Sequence, residues 1–277
     1  MPARTRIGGR PVLSYQHGTI FQVPMRLQVF PQAPRAWHEP CRARVFPGTG
    51  INAVTNGQLF LAGYSEGGYA TLATQRLMEQ SLSAEFPITA SEPGAGPYDL
   101  SKTTQAILGL ATQPQPAFAG FYFAAYDSLC NPSSQLAYYF SSAYAPVVAA
   151  YFGGSYSRSW ITAALGWSNV ATSVLFNPAF IVSYLGTGET ALKAHIAEND
   201  VYNWAPAVPT HLFQGVNDDV VPYANTTTAK ATMDSNGSTM VAVVNCNAGA
   251  SPTTHDNCIE PFAIDVVTYF KTLATGL

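Results

Sequence analysis

The sequence predicts an α/β fold: a mostly parallel sheet flanked by helices, with a helical insertion between its two halves. Three observations carry that expectation. Short β-prone runs alternate with helix-composed segments towards both ends of the chain, the pattern of a parallel sheet with crossover helices. A long tyrosine-, alanine- and phenylalanine-rich stretch with few charges separates those ends. The apolar run 59–63 (LFLAG) passes directly into a glycine-flanked serine and then into a helical pattern.

In chain order, residues 11–16 (PVLSYQ) read as a strand leading into His17-Gly18-Thr19. Residues 59–63 read as a buried strand, 67–80 as a helix and 88–90 as the next strand. From about 113 to 199 the chain reads as a helical insertion, expected to form a cap. THLFQG then reads as a strand, 223–234 as a helix, 240–244 as a strand and 259–273 as a closing helix. The expected domains are therefore an α/β core of 1–112 and 200–277 and a helical cap of 113–199.

One segment departs from this pattern. Residues 22–56 carry five prolines and neither a clear helix nor a convincing strand. Residues 1–48 hold seven of the nine arginines and one acidic residue, a net of +6, against −9 for the remainder. Such a break suggests a foreign, deleted or out-of-frame segment; the plainer reading is a basic, proline-rich loop.

At 277 residues the chain is long enough to bury a substantial core as one catalytic domain. A formal charge of −3 with 10% charged residues provides no basic field for a phosphate backbone, so nucleic acid is not an expected partner. Small or apolar substrates fit better. The four cysteines (Cys41, Cys130, Cys246, Cys258) contain no CxxC pair and the five histidines no HExxH, so neither a metal nor a cofactor is expected. Cys246 and Cys258 flank His255, and a local disulfide is expected if the protein reaches an oxidising compartment; two reduced thiols are equally compatible. No signal peptide is recognisable in residues 1–15, so either the protein is cytoplasmic or its export signal lies outside this sequence. The charge-free stretches 128–157 and 159–188 are broken by Pro132, Pro146, Asn169, Asn177 and Pro178, so no integral membrane segment is expected.

Gly63-Tyr64-Ser65-Glu66-Gly67 matches the G-x-S-x-G turn, in which small flanking residues let a strained bend lift the serine hydroxyl clear of the backbone. A chance match has odds of roughly one in ten at this glycine and serine content, so the strand–turn–helix setting carries the weight. A serine hydroxyl needs a base to take its proton, and the base needs a carboxylate to fix its tautomer. The order expected in this arrangement is serine, acid, histidine. His17, His38, His195 and His211 all precede the acidic pair Asp218-Asp219, which leaves His255 as the base. Asp218 is preferred over Asp219 as the acid, with Asp219 capping a helix or solvated. Oxyanion donors are expected from the backbone amides of Glu66 and Thr19, with His17 and Gly18 ordering the second loop.

With these residues in place, the chain resembles bacterial secreted lipases and esterases of the α/β-hydrolase superfamily, in the capped group related to secretory lipases. The resemblance rests on GYSEGGYATLATQRL, EPGAGPYDL, NDVYNWAPAVPTHLFQGVNDDVVPYANT and THDNC, and spans roughly residues 11–21 and 58–277. It implies Ser65, Asp218 and His255 as the triad, hydrolysis of a small-molecule or lipid carboxylic ester, and a secreted or periplasmic protein. The family's aspartate-tyrosine-glycine loop, with its flanking strand and helices, is not recognisable between His17 and Ser65. The same triad could serve a serine peptidase or an acyltransferase, or stand unused in a relative whose 22–56 segment has disrupted the sheet.

Overall fold

A computed structural model describes residues 6–7, 10–11, 57–130, 134–152, 155–165, 169–247, 249 and 252–275. The 22–56 segment, Cys41, the His17-Gly18-Thr19 loop and all but the first residue of the expected 11–16 strand lie outside these. The described residues form two compact units: 6–7 and 10–11 with Leu110–Gly188 in one, and 57–109 with 189–275 in the other.

The larger unit is built on four parallel strands, β1 (Phe60–Tyr64), β2 (Ala90–Gly94), β3 (Thr210–Gln214) and β4 (Val241–Asn245), hydrogen-bonded in that order. Its helices are α1 (Glu66–Ser81), α2 (Leu100–Gly109), α3 (Thr190–Ala197), α4 (Ala224–Ser235) and α5 (Ile259–Leu273). Alternation along the strands divides the core. On one face Leu212 and Val241 pack with Leu72 of α1 and with Ala229 and Met233 of α4, joined by Tyr98, Val201 and Trp204. On the other face Phe213 packs with Cys246, Cys258 and Phe262, so α5 covers that side.

The strands after the insertion and the closing helix match the sequence expectation to within a residue. β2 does not, because it spans Ala90–Gly94 where the expected strand covered 88–90. Its sequence ASEPG has poor β-propensity and includes a proline. The segment is nonetheless extended because β1 and β3 pair with it on both sides, and tertiary pairing overrides local preference. Helix α2 had no sequence counterpart. Its boundary is set by Asp99, whose Oδ1 accepts the Lys102 N–H at 2.8 Å, while Ser101 donates to Asp200 at 2.7 Å.

Leu110–Gly188 is helical: Pro116–Cys130, Leu136–Tyr139, Ala145–Tyr151, Arg158–Leu165, Thr172–Leu175 and Pro178–Leu185. Its interior is aromatic, with Phe123 contacting Phe176 and Phe180 at ring-centroid distances of 5.3 Å each, edge to face. Thr112–Gln113 and Val170–Ala171 close it as a short antiparallel pair. No helix among the described residues is long and apolar enough to cross a membrane.

Candidate active site

Ser65 sits between β1 and α1 at φ 61° and ψ −120°, a backbone geometry that a non-glycine residue adopts only under constraint. The constraint is visible. The Ser65 N–H donates to Gly94 O at 2.8 Å, extending the β1–β2 ladder one residue past the strand. A Cβ at Gly63 would lie 2.3 Å from Gly67 O, and one at Gly68 would lie 2.1 Å from Gly94 O. Glycines 63 and 68 therefore allow the close approach of strand, turn and helix. At Gly67, by contrast, a Cβ would meet nothing within 4 Å among the described residues.

Asp218 follows β3 in the loop after Gln214. Its Oδ1 accepts the backbone N–H groups of Val220 and Val221 at 2.9 and 2.8 Å, and its side chain is wholly buried. Gln214 extends from the end of β3 to donate to Asp218 Oδ2 at 3.3 Å and to Val221 O at 2.5 Å, bracing the loop.

His255 comes from the loop after β4. Its Nδ1 lies 2.8 Å from Asp218 Oδ2 and its Nε2 2.8 Å from Ser65 Oγ. The loop is held at several points. Asp219 Oδ1 accepts the His255 backbone N–H at 3.1 Å, and Tyr64 donates its hydroxyl to His255 O at 2.8 Å. Thr253 Oγ1 accepts from the Asn217 amide at 3.1 Å. A Cβ at Gly215 would lie 2.1 Å from Thr253 O, so the acid and histidine loops touch through bare backbone. A disulfide between Cys246 and Cys258 closes the loop covalently.

The structure thus brings Ser65, His255 and Asp218 into one hydrogen-bonded chain and gives Asp219 to the backbone of His255. Glu66 is the first residue of α1, where a helix amide has no intrahelical acceptor. Burial pushes its carboxyl up to about 7. Thr19, Gly18 and His17 lie outside the described residues. Sequence reasoning missed Tyr64 and Gln214. Tyr64 occupies the unspecified position of the serine motif, and its ring packs 5.1 Å from Phe262 and 5.2 Å from His255. Burial and the nearby carboxylates of Asp218, Asp256 and Asp219 raise its phenol well above the usual range, so it stays a hydrogen-bond donor.

No family model and no curated protein matches the chain. Solved structures do. A mutant of the rice cell wall degrading esterase LipA from Xanthomonas oryzae superposes with a TM-score of 0.69 at 28% identity, covering 80% of this chain. The chain has the α/β-hydrolase fold. Other neighbours with this fold are a protein from Legionella pneumophila, with a TM-score of 0.69, 22% identity and 81% coverage, and Candida antarctica lipase A, with 0.56, 18% and 79%. This hydrolase-fold chain spans only 59% of the two bacterial proteins and 50% of the lipase.

Proposed function

We propose that the chain hydrolyses carboxylic esters through a serine acyl-enzyme. The observation that carries the reading is the chain of two 2.8 Å hydrogen bonds from Ser65 through His255 to Asp218, on a fold whose solved neighbours include an esterase and a lipase. His255 Nε2 takes the Ser65 proton as Oγ attacks the ester carbonyl, and Asp218 holds the ring with Nδ1–H directed away from the serine. The oxyanion develops beside the Glu66 amide, with Thr19 proposed as the second donor. Collapse expels the alcohol, which receives the proton from His255. Water, deprotonated by the same imidazole, then releases the acid and restores Ser65.

The aromatic composition of the 113–199 segment favours esters of apolar acyl or aromatic acids. The Cys246–Cys258 disulfide favours an oxidising compartment and supports secretion. Hydrolysis of p-nitrophenyl esters from acetate to palmitate by wild type and Ser65→Ala tests the reading. Turnover in the wild type that Ser65→Ala abolishes is expected. Folded wild type that neither turns over these esters nor reacts with a fluorophosphonate probe would overturn it.

A further inference from the structure

Outside the Ser65 centre, the face of the sheet beneath α5 carries a second polar cluster. The strand register aligns Ala62 of β1 with Glu92 of β2, and His211 of β3 with Ala242 of β4. Glu92 and His211 each stand one residue beyond the paired Ser91 and Thr210, so a carboxyl and an imidazole lie side by side between two small residues. Asp265 of α5 completes the group. One donor atom from each of Glu92, His211 and Asp265 lies within 4.8 Å of the others.

This arrangement is costly without a cation. Glu92 is fully buried, and among the described residues its carboxyl meets no polar group other than the Asp265 carboxyl. His211 Nδ1 is likewise buried without a partner among the described residues. Isolated buried polar groups of this kind cost free energy unless something supplies the missing interaction. Tyr269 stacks on the His211 ring at 3.6 Å between centroids, fixing its plane. An open cleft lined by Phe213, Asn245, Glu260, Ile264, Asp265 and Thr268 reaches Asp265 from solvent.

We propose that Glu92, His211 and Asp265 bind one divalent transition-metal ion of the zinc or manganese class, joining helix α5 to the sheet. Two carboxylates and one imidazole suit such ions, and the imidazole disfavours calcium and magnesium. Donors placed about 2.0–2.2 Å from a zinc ion are at most about 4.4 Å apart, so a small inward rotation of the side chains closes the site.

Isothermal titration of Zn²⁺ or Mn²⁺ into chelator-treated full-length protein tests the site. One saturable site per chain is expected, weakened about 100-fold or more in His211→Asn and in Asp265→Asn. Ser65→Ala, and His195→Asn at the exposed His195–Glu198 pair, should bind as the wild type does. Asp265 is only partly buried on the helix, so its isosteric variant should fold even where Glu92→Gln does not, and its thermal midpoint should no longer rise with added metal. Absence of saturable binding of either ion, which would mean a proton shared by the carboxyls, overturns the proposal. So does a site that survives both His211→Asn and Asp265→Asn.

Discussion

Asp219 accepts the backbone N–H of His255 at 3.1 Å, while its neighbour Asp218 meets the ring of the same residue at 2.8 Å. Two adjacent carboxylates thus serve one histidine in different ways. Asp218→Asn should lower kcat by about 10⁴, the cost of presenting the wrong imidazole tautomer. Asp219→Asn retains an oxygen acceptor and should cost no more than about tenfold, the scale of one hydrogen bond. Equal losses in the two variants under steady-state ester hydrolysis would remove the distinction.

Tyr64 bears on His255 through the backbone oxygen. Tyr64→Phe keeps the ring against Phe262 and removes only the hydroxyl that reaches His255 O. The expected cost is about 1 kcal/mol of stability and a several-fold lower kcat with little change in KM. A loss confined to KM would show that the hydroxyl serves substrate instead of the loop.

The disulfide joins cysteines 12 positions apart, and His255 lies between them. Replacing both cysteines with alanine should lower stability by about 2–4 kcal/mol, read as a shift in the urea midpoint. Ester hydrolysis should fall before the far-ultraviolet circular dichroism changes, because the loop loosens ahead of the sheet. Simultaneous loss of both signals would place the bond in the global fold.

Burial raises the Glu66 carboxyl from 4.5 to about 7. Between those values the folded protein retains a proton that the unfolded chain has released. Its contribution to stability is therefore full below about pH 4.5, declines as pH rises to about 7 and is flat above that. Glu66→Gln has no such window, so the variant should gain on wild type between pH 5 and pH 8. Urea midpoints that differ by the same amount at both pH values would refute this.

What the sequence revealed about the site follows from how local each signal is. The β1–Ser65–α1 turn is contiguous, so its motif and both flanking patterns could be read together. Asp218 and His255 followed from their order along the chain. The choice between Asp218 and Asp219 could be argued only from the loop, since one residue of shift exchanges ring for backbone. Gln214 bonds within its own loop, but no motif marks a glutamine there. Tyr64 left no signal because its partner is the backbone oxygen of a loop distant in sequence. Strand β2 was misplaced for a similar reason: Ser91, Glu92 and Pro93 are extended by their neighbours on both sides. Glu92, His211 and Asp265 come from two strands and a helix, so no spacing rule for metal ligands could group them.

The Ser65 N–H rests on Gly94 O, one step beyond the last β1–β2 pair. The backbone of Ser65 is therefore positioned by main-chain contacts, while its side chain bonds to His255 and not to the turn that holds it. A different reactive atom at this position, such as the sulfur of Ser65→Cys, would be delivered to the same point in space. The sheet is in this sense a mount separable from the reagent it carries, and the chemistry of residue 65 can change while the architecture around it stays the same.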